Sequence, residues 1–370
     1  MESGRLRRVV YMAGILCLLG ILFAVPCVQP ASNAGETAVR IGYFQGGRVN
    51  MIYRAHIAGF FSREGVNVKL YTKDLKGEKL YEVPQSHDEM KRLSKGKLNF
   101  GKMSGTEIID KMAAGDFDGG TIGESSFVYA VNKQIPIVAV AMLGYDSVPG
   151  KAILMRKGVK INKPQDLKGK TLISRRAGPG DAIFLREFIE SIGLDPKKDL
   201  KIIDQVSEDD ADNWIRDGKI DGGLYHLVAA KKLVESDDAY VYKPMDWMDS
   251  RLSHAVLVFR KDYLDGHRAE VQKIVNAYVK RVAYEKKLPK SERDKSWDKG
   301  LMMEGEFEDM SIPAYDMPPR LRPELLQKMQ DLLLKHGEIG KKADLTKHLD
   351  YSFVEKAATE ANAGSTGQKQ

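Results

Sequence analysis

Short apolar strands alternate with amphipathic helices along this chain, and the alternation breaks off once and restarts. That confines the fold to α/β and argues for two blocks. The first block opens with a strand at 38–43, a loop at Gln45-Gly46-Gly47, a helix marked by Ile52, Ala55, Ile57, Ala58 and Phe61, and a second strand at 66–70 after the stop at Gly65. Ile108, Ile109, Met112 and Ala113 give the next helix an inward stripe; a turn at 115–120 leads to a short strand at 121–123, and Glu124-Ser125-Ser126 opens another helix. Residues 135–143 are apolar without alternation, the pattern of a strand covered on both faces.

After this run the pattern begins again. Strands at 152–155 and 171–174 flank a turn at 164–169, and a helix at 181–192 turns Ile183, Phe184, Phe188, Ile189 and Ile192 inward before Gly193 ends it. A strand at 200–203, a helix at 211–216 and a strand at 221–225 close the second set. One more strand, 255–259, and a long helix, 269–287, precede a mainly helical region; 361–370 reads as a disordered tail. The length suits two lobes better than one core.

Arg5, Arg7 and Arg8 precede an apolar run reaching about Val28, and Ser32-Asn33-Ala34 supplies small residues for a signal peptidase, so 1–34 reads as a removable signal peptide. An uncleaved anchor and a lipid on Cys27 are the alternatives. Cys17 and Cys27 are the only cysteines. The mature chain would therefore hold no disulfide, thiol nucleophile or cysteine-ligated zinc. Losing the leader lowers the net charge of +7 only slightly, and Lys and Asp/Glu are interspersed throughout, which speaks against nucleic acid as a partner.

Two decoys fall on their details. Gly96–Met103 resembles a phosphate-binding loop until Met103, which stands where a hydroxyl must meet magnesium; Gly178-Pro179-Gly180 lacks the third glycine of a dinucleotide fingerprint because Ile183 occupies its place. The histidines show no metal-ligand spacing and no Gly-x-Ser-x-Gly elbow occurs, so neither metal, cofactor nor catalysis is expected. His254 is assigned to a hinge or cleft rim.

Five ordered segments carry a likeness to a known family. They are Ala58-Gly59-Phe60-Phe61-Ser62-Arg63-Glu64-Gly65-Val66; Met112-Ala113-Ala114-Gly115-Asp116-Phe117-Asp118 leading to Gly123-Glu124-Ser125; Ile161 with Pro164-Gln165-Asp166-Leu167-Lys168-Gly169-Lys170; Phe184-Leu185-Arg186-Glu187-Phe188 to Gly193-Leu194-Asp195-Pro196; and Gly218-Lys219-Ile220-Asp221-Gly222. Over roughly 38–285 the chain resembles the periplasmic substrate-binding proteins of ABC importers, in the branch for nitrate, sulfonate, taurine and thiamine-precursor pyrimidines.

The resemblance implies a type 2 periplasmic-binding fold: two α/β lobes joined by two hinge crossings, with a largely helical C-terminal region. Lobe I would take 38–146 plus 255–360 and lobe II 150–252, with crossings near 145–151 and 250–254. It implies a monomer that captures a small anionic or zwitterionic solute, sulfonate-like or pyrimidine-like, and delivers it to an ABC permease and, through it, an ATPase. An enzyme on the same bilobal fold, of pyrimidine-precursor or menaquinone-pathway type, and an exported sensory subunit are the alternatives. Departures from the family pattern are the polar insertion at 75–100 and the Lys/Met-rich region after Leu288; both read as additions that leave the fold intact.

If the lobes face each other as in the family, four strand-to-helix loops line the cleft. Gln45 and Asn50 flank the glycine loop, against a reading as ordinary turn chemistry. Glu124, Ser125 and Ser126 open a helix whose N–H groups suit an oxyanion, against simple capping by Ser125. Ser174, Arg175 and Gly180 precede or begin the next helix, where a guanidinium suits sulfonate or carboxylate and Asp181 can cap. Tyr225 and His226 follow the last strand of lobe II, where Tyr225 is either a pocket wall or a buried structural residue. Glu124 beside an anion is repulsive unless the solute also carries an amino group or the side chain points away.

Overall fold

The computed structural model describes residues 38–44, 47–74, 79–86, 88–89, 100–101, 103–146, 150–175, 179–289, 291–292 and 314–366. Gln45, Gly46, Arg176, the leader, much of the insertion expected at 75–100 and most of the loop at 96–103 lie outside them.

In chain order, β1 (Val39–Gly42) leads through a 3-10 turn (Gly47–Val49) to α1 (Asn50–Ile57) and α2 (Phe60–Arg63). Then come β2 (Val68–Asp74), β3 (Leu80–Glu82), β4 (Phe100–Gly101), α3 (Gly105–Ala113), β5 (Gly119–Gly123), α4 (Glu124–Asn132) and β6 (Ile137–Tyr145). The next set is β7 (Lys151–Arg156), β8 (Thr171–Arg175), α5 (Pro179–Ser191), β9 (Lys201–Val206), α6 (Glu208–Arg216), β10 (Gly222–His226), α7 (Leu227–Glu235) and β11 (Ala239–Pro244). A 3-10 turn (Ser250–Leu252) leads to β12 (His254–Arg260), α8 (Lys261–Gly266), α9 (Arg268–Lys287), α10 (Pro323–Lys335) and α11 (Ser352–Thr366).

Among the described residues the strands form two sheets. One has seven strands in the order β3-β2-β1-β5-β12-β6, with β4 paired to β2; the other has five, β11-β7-β10-β8-β9. β1 is parallel to β2 and β5, while β12 runs antiparallel between β5 and β6. In the second sheet β8 is parallel to β9 and β10, and β7 is antiparallel to β10 and β11. The unbroken apolar run of β6 is buried over Ile137–Gly144, as a strand with both faces covered requires.

The chain crosses between the sheets twice, from β6 to β7 and from β11 to β12, and the crossings are tied together. Asp146 N–H donates to Ser253 C=O at 3.1 Å. Leu80–Glu82, part of the expected insertion, is an edge strand paired with Thr72 and its neighbours. The last helix runs through Thr366, into the segment read as a disordered tail; 367–370 lie outside the described residues.

A charged triad is buried between α1 and α9: Glu285 lies 3.1 Å from Arg54 Nη2 and 2.5 Å from Arg281 Nη2. No helix among the described residues is long and apolar enough to cross a membrane.

Candidate functional site

Lys151, the first residue of β7, is 1% exposed where the crossings meet. Its ammonium donates to Ser253 Oγ at 2.5 Å, lies 3.8 Å from both Asp146 Oδ2 and Asp181 Oδ1, and sits 4.9 Å from the Phe184 ring centre. A lysine this deep requires opposite charges around it. Asp146 belongs to the first crossing, Ser253 to the second and Asp181 to α5, so one side chain gathers both crossings and a lobe II helix.

Next to it, the N-termini of α4 and α5 meet. A Cβ built on Gly180 would lie 2.8 Å from Ser125 Oγ and 3.3 Å from Glu124 Oε1. Only a residue without a side chain fits this approach. Glu124 Oε2 accepts the His254 backbone N–H at 3.2 Å and lies 3.5 Å from Arg48 Nη1. Burial pushes the Glu124 carboxyl up, and Arg48 and Lys151 oppose that rise. Arg48 also donates to Ser253 Oγ at 2.6 Å.

His254 is fixed in one tautomer. Its Nδ1 lies 3.2 Å from the carbonyl oxygens of both Arg251 and Leu252. Carbonyls only accept, so Nδ1 is assigned the proton and Nε2 is left as an acceptor. That Nε2 is buried with no hydrogen-bond partner among the described residues. Burial, reinforced by Arg48, lowers the imidazole to about 4.

Of the residues picked from sequence, Glu124, Ser125 and Gly180 come together here. His226 Nε2 joins them at 3.8 Å from Asp181 Oδ2. Asn50, at the start of α1, and Ser126 are buried, and neither the Asn50 amide nor the Ser126 hydroxyl has a hydrogen-bond partner among the described residues. Arg175 ends β8. Ser174 is buried, its hydroxyl donating to Asp204 Oδ1 at 2.8 Å on the neighbouring strand β9. Tyr225 is fully buried in the lobe II core, its hydroxyl donating to Ala211 O at 3.2 Å, and it takes the structural reading rather than that of a pocket wall.

Sequence reasoning missed Arg48, Asp146, Lys151 and Ser253. Each is a polar residue in or beside a loop, with no pattern of its own. The signal that could have found them is position: three of the four fall within the expected crossings.

Two α/β sheets strung on two tied crossings, with helix N-termini meeting between them, define a bilobal binding-protein fold. The family model described as NMT1/THI5 like matches residues 97–292, more than half of the chain, and the chain belongs to that family. No curated protein matches the sequence.

Among solved structures, the periplasmic aliphatic sulphonate binding protein SsuA from Escherichia coli is 15% identical with a TM-score of 0.61, over 85% of this chain and 92% of that one. The periplasmic nitrate-binding protein NrtA from Synechocystis PCC 6803 reaches 0.64 at 13% identity, over 88% and 89%. The desulfurization enzyme DSZB gives 0.55 at 13%, over 87% and 99%. Identities this low speak to fold alone. The fold is that of the periplasmic solute-binding proteins of ABC importers for sulfonate and nitrate, and it also serves an enzyme.

Proposed function

We propose that the protein is exported, works in the periplasm as a monomer, encloses a small zwitterionic organic solute between its lobes and hands it to an ABC permease. The observation that carries this reading is the meeting of α4 and α5 at Ser125 and Gly180, with Arg48, Glu124, Lys151 and Asp181 at the junction. Contacts from both lobes exist together only when the lobes are closed, so solute binding and closure are one equilibrium.

Charge supports the solute class. Arg48 already faces Glu124, and Lys151 already faces Asp146 and Asp181. A purely anionic solute would meet cations that are neutralised and carboxylates that repel it. A solute with an amino group on one side and an acidic or carbonyl group on the other answers both, the second end taking the N–H groups at the helix N-termini.

The test is native mass spectrometry of the chain purified from its own periplasm, followed by thermal-shift screening of aminosulfonates, sulfonates, nitrate, carboxylates and aminopyrimidines. A true solute at 100 times its Kd adds about 2.7 kcal/mol of stability. Stoichiometric binding without product is the expected result. The DSZB likeness makes turnover the competing outcome, and a product released by the purified protein would replace the carrier reading with an enzyme.

A further inference from the structure

The C-terminal end of α10 meets α5 through charged groups. Lys335 Nζ lies 2.5 Å from Glu187 Oε1 and 2.5 Å from Glu190 Oε2, and His336 Nε2 lies 2.6 Å from the same Glu187 oxygen. One turn further on, Glu338 Oε1 lies 3.4 Å from Arg186 Nη1, and Arg186 also pairs with Asp204.

These pairs join opposite lobes. α10 is fastened to the first sheet and its helices: Asn132 Nδ2 of α4 donates to Gln330 Oε1 at 2.9 Å. The chain beyond α10 stays on that side, with His348 Nδ1 2.8 Å from Ile137 O and Asp350 N–H donating to Ala139 O at 2.9 Å. α5 instead follows β8 and packs on the second sheet. Any movement that parts α5 from α4 must also part α5 from α10, or tear α10 from α4.

Glu187, Glu190 and His336 place ligand atoms within 4.8 Å of one another, a set that would suit a divalent cation. The Lys335 ammonium already bridges the two carboxylates. Burial pushes the Glu187 carboxyl up, but hydrogen bonds from Lys335 and His336 outweigh it and hold the group below its ordinary range. The cluster is therefore satisfied from within.

We propose that Lys335, His336 and Glu338, set against Glu190, Glu187 and Arg186, form an ionic clasp that holds the two lobes shut. The proposal rests on the reading that the lobes part to admit solute. A single exposed ion pair would contribute little. Here several pairs share partners, the His336 side chain is 3% exposed, and Lys335 sits in the last turn of its helix, where positive charge is favoured. The clasp sets how far the empty protein stays closed, and salt loosens it because the screening length falls from roughly 30 Å at about 0.01 M to roughly 3 Å at about 1 M.

Single-molecule energy transfer reads this without a known solute. Dyes are placed at exposed positions of the two lobes with Asp110→Cys and Lys197→Cys, after Cys17→Ser and Cys27→Ser. The unaltered clasp should give one short distance at low salt and add a longer population at about 1 M. Lys335→Glu should show the longer population at low salt, and Lys335→Glu with Glu187→Lys should restore the short one. Gly180→Leu, which wedges α4 from α5 whatever the charges do, is the control. If Gly180→Leu lengthens the distance while charge variants and salt leave it unchanged, the clasp is overturned and the opening motion stands. If Gly180→Leu changes nothing either, the two-lobe opening falls and the clasp with it.

Discussion

A methyl group on Gly180 would sit 2.8 Å from Ser125 Oγ, so the first turn of α5 lies directly against the Ser125 side chain of α4. Gly180→Ala should therefore separate stability from closure. Alanine favours the helix by roughly 1 kcal/mol, so at about 1 M salt, where the empty protein opens, its unfolding midpoint should hold or rise. Closing against the added methyl should cost about 1–3 kcal/mol, and solute should be released on the order of ten times faster in a stopped-flow chase. Equal loss of stability and retention would contradict the contact.

Lys151→Met removes the ammonium shared by Asp146 and Asp181 and leaves the buried Asp181 carboxylate and the half-buried Asp146 carboxylate without it. Breaking a buried pair from one side costs about 3–5 kcal/mol. Denaturant unfolding should show that loss, and adding Asp181→Asn should recover part of it. A Lys151→Met protein as stable as the parent would mean that solvent reaches the junction.

Between α1 and α9, Glu285 is flanked by two buried arginines. Burial already lowers Arg54 to about 10, with Glu285 opposing the fall. Glu285→Gln should cost about 3–5 kcal/mol, read as a shifted urea midpoint. Retained affinity in the surviving folded fraction would show that the two effects are separable.

His254 predicts an acid dependence. In the unfolded chain an imidazole takes its proton near 6.5, whereas the folded one waits until about 4. Between those values the unfolded state binds more protons, so stability falls as pH falls through this window. His56, lowered chiefly by burial, acts in the same direction, while Glu124, raised chiefly by burial, opposes it. His254 alone contributes up to about 3 kcal/mol. His254→Asn, whose amide can still donate to the Arg251 and Leu252 carbonyls, should flatten the curve between pH 6.5 and 4. An unchanged slope would place the titration elsewhere.

Most of the architecture was legible because burial leaves marks that propensity can read. Residues 137–143 admit no polar side chain and form the two-faced strand β6; Gly65 and Gly193, both in the left-handed region with φ of 66° and 78°, end their helices where glycine is needed. β11 escaped notice because it is an edge strand, half-exposed, whose Tyr240, Lys243 and Pro244 break any clean alternation.

The site was less legible. Helix starts such as Glu124-Ser125 and Gly180 announce themselves locally, but which way Ser174 or Tyr225 faces depends on strand register, and a shift of one residue exchanges cleft for core. Lys151 looks like any surface lysine until the second crossing, about a hundred residues later in the chain, is folded back beside it.

β12 sits between β5 and β6, yet it is made after every strand of the second sheet, all of which lie within 151–244. A polypeptide emerging from its N-terminus can finish the later-coded half first, while the earlier-coded half waits with an empty slot between β5 and β6. Assembly order is thereby inverted relative to synthesis, and the half that begins the protein is the last to become whole.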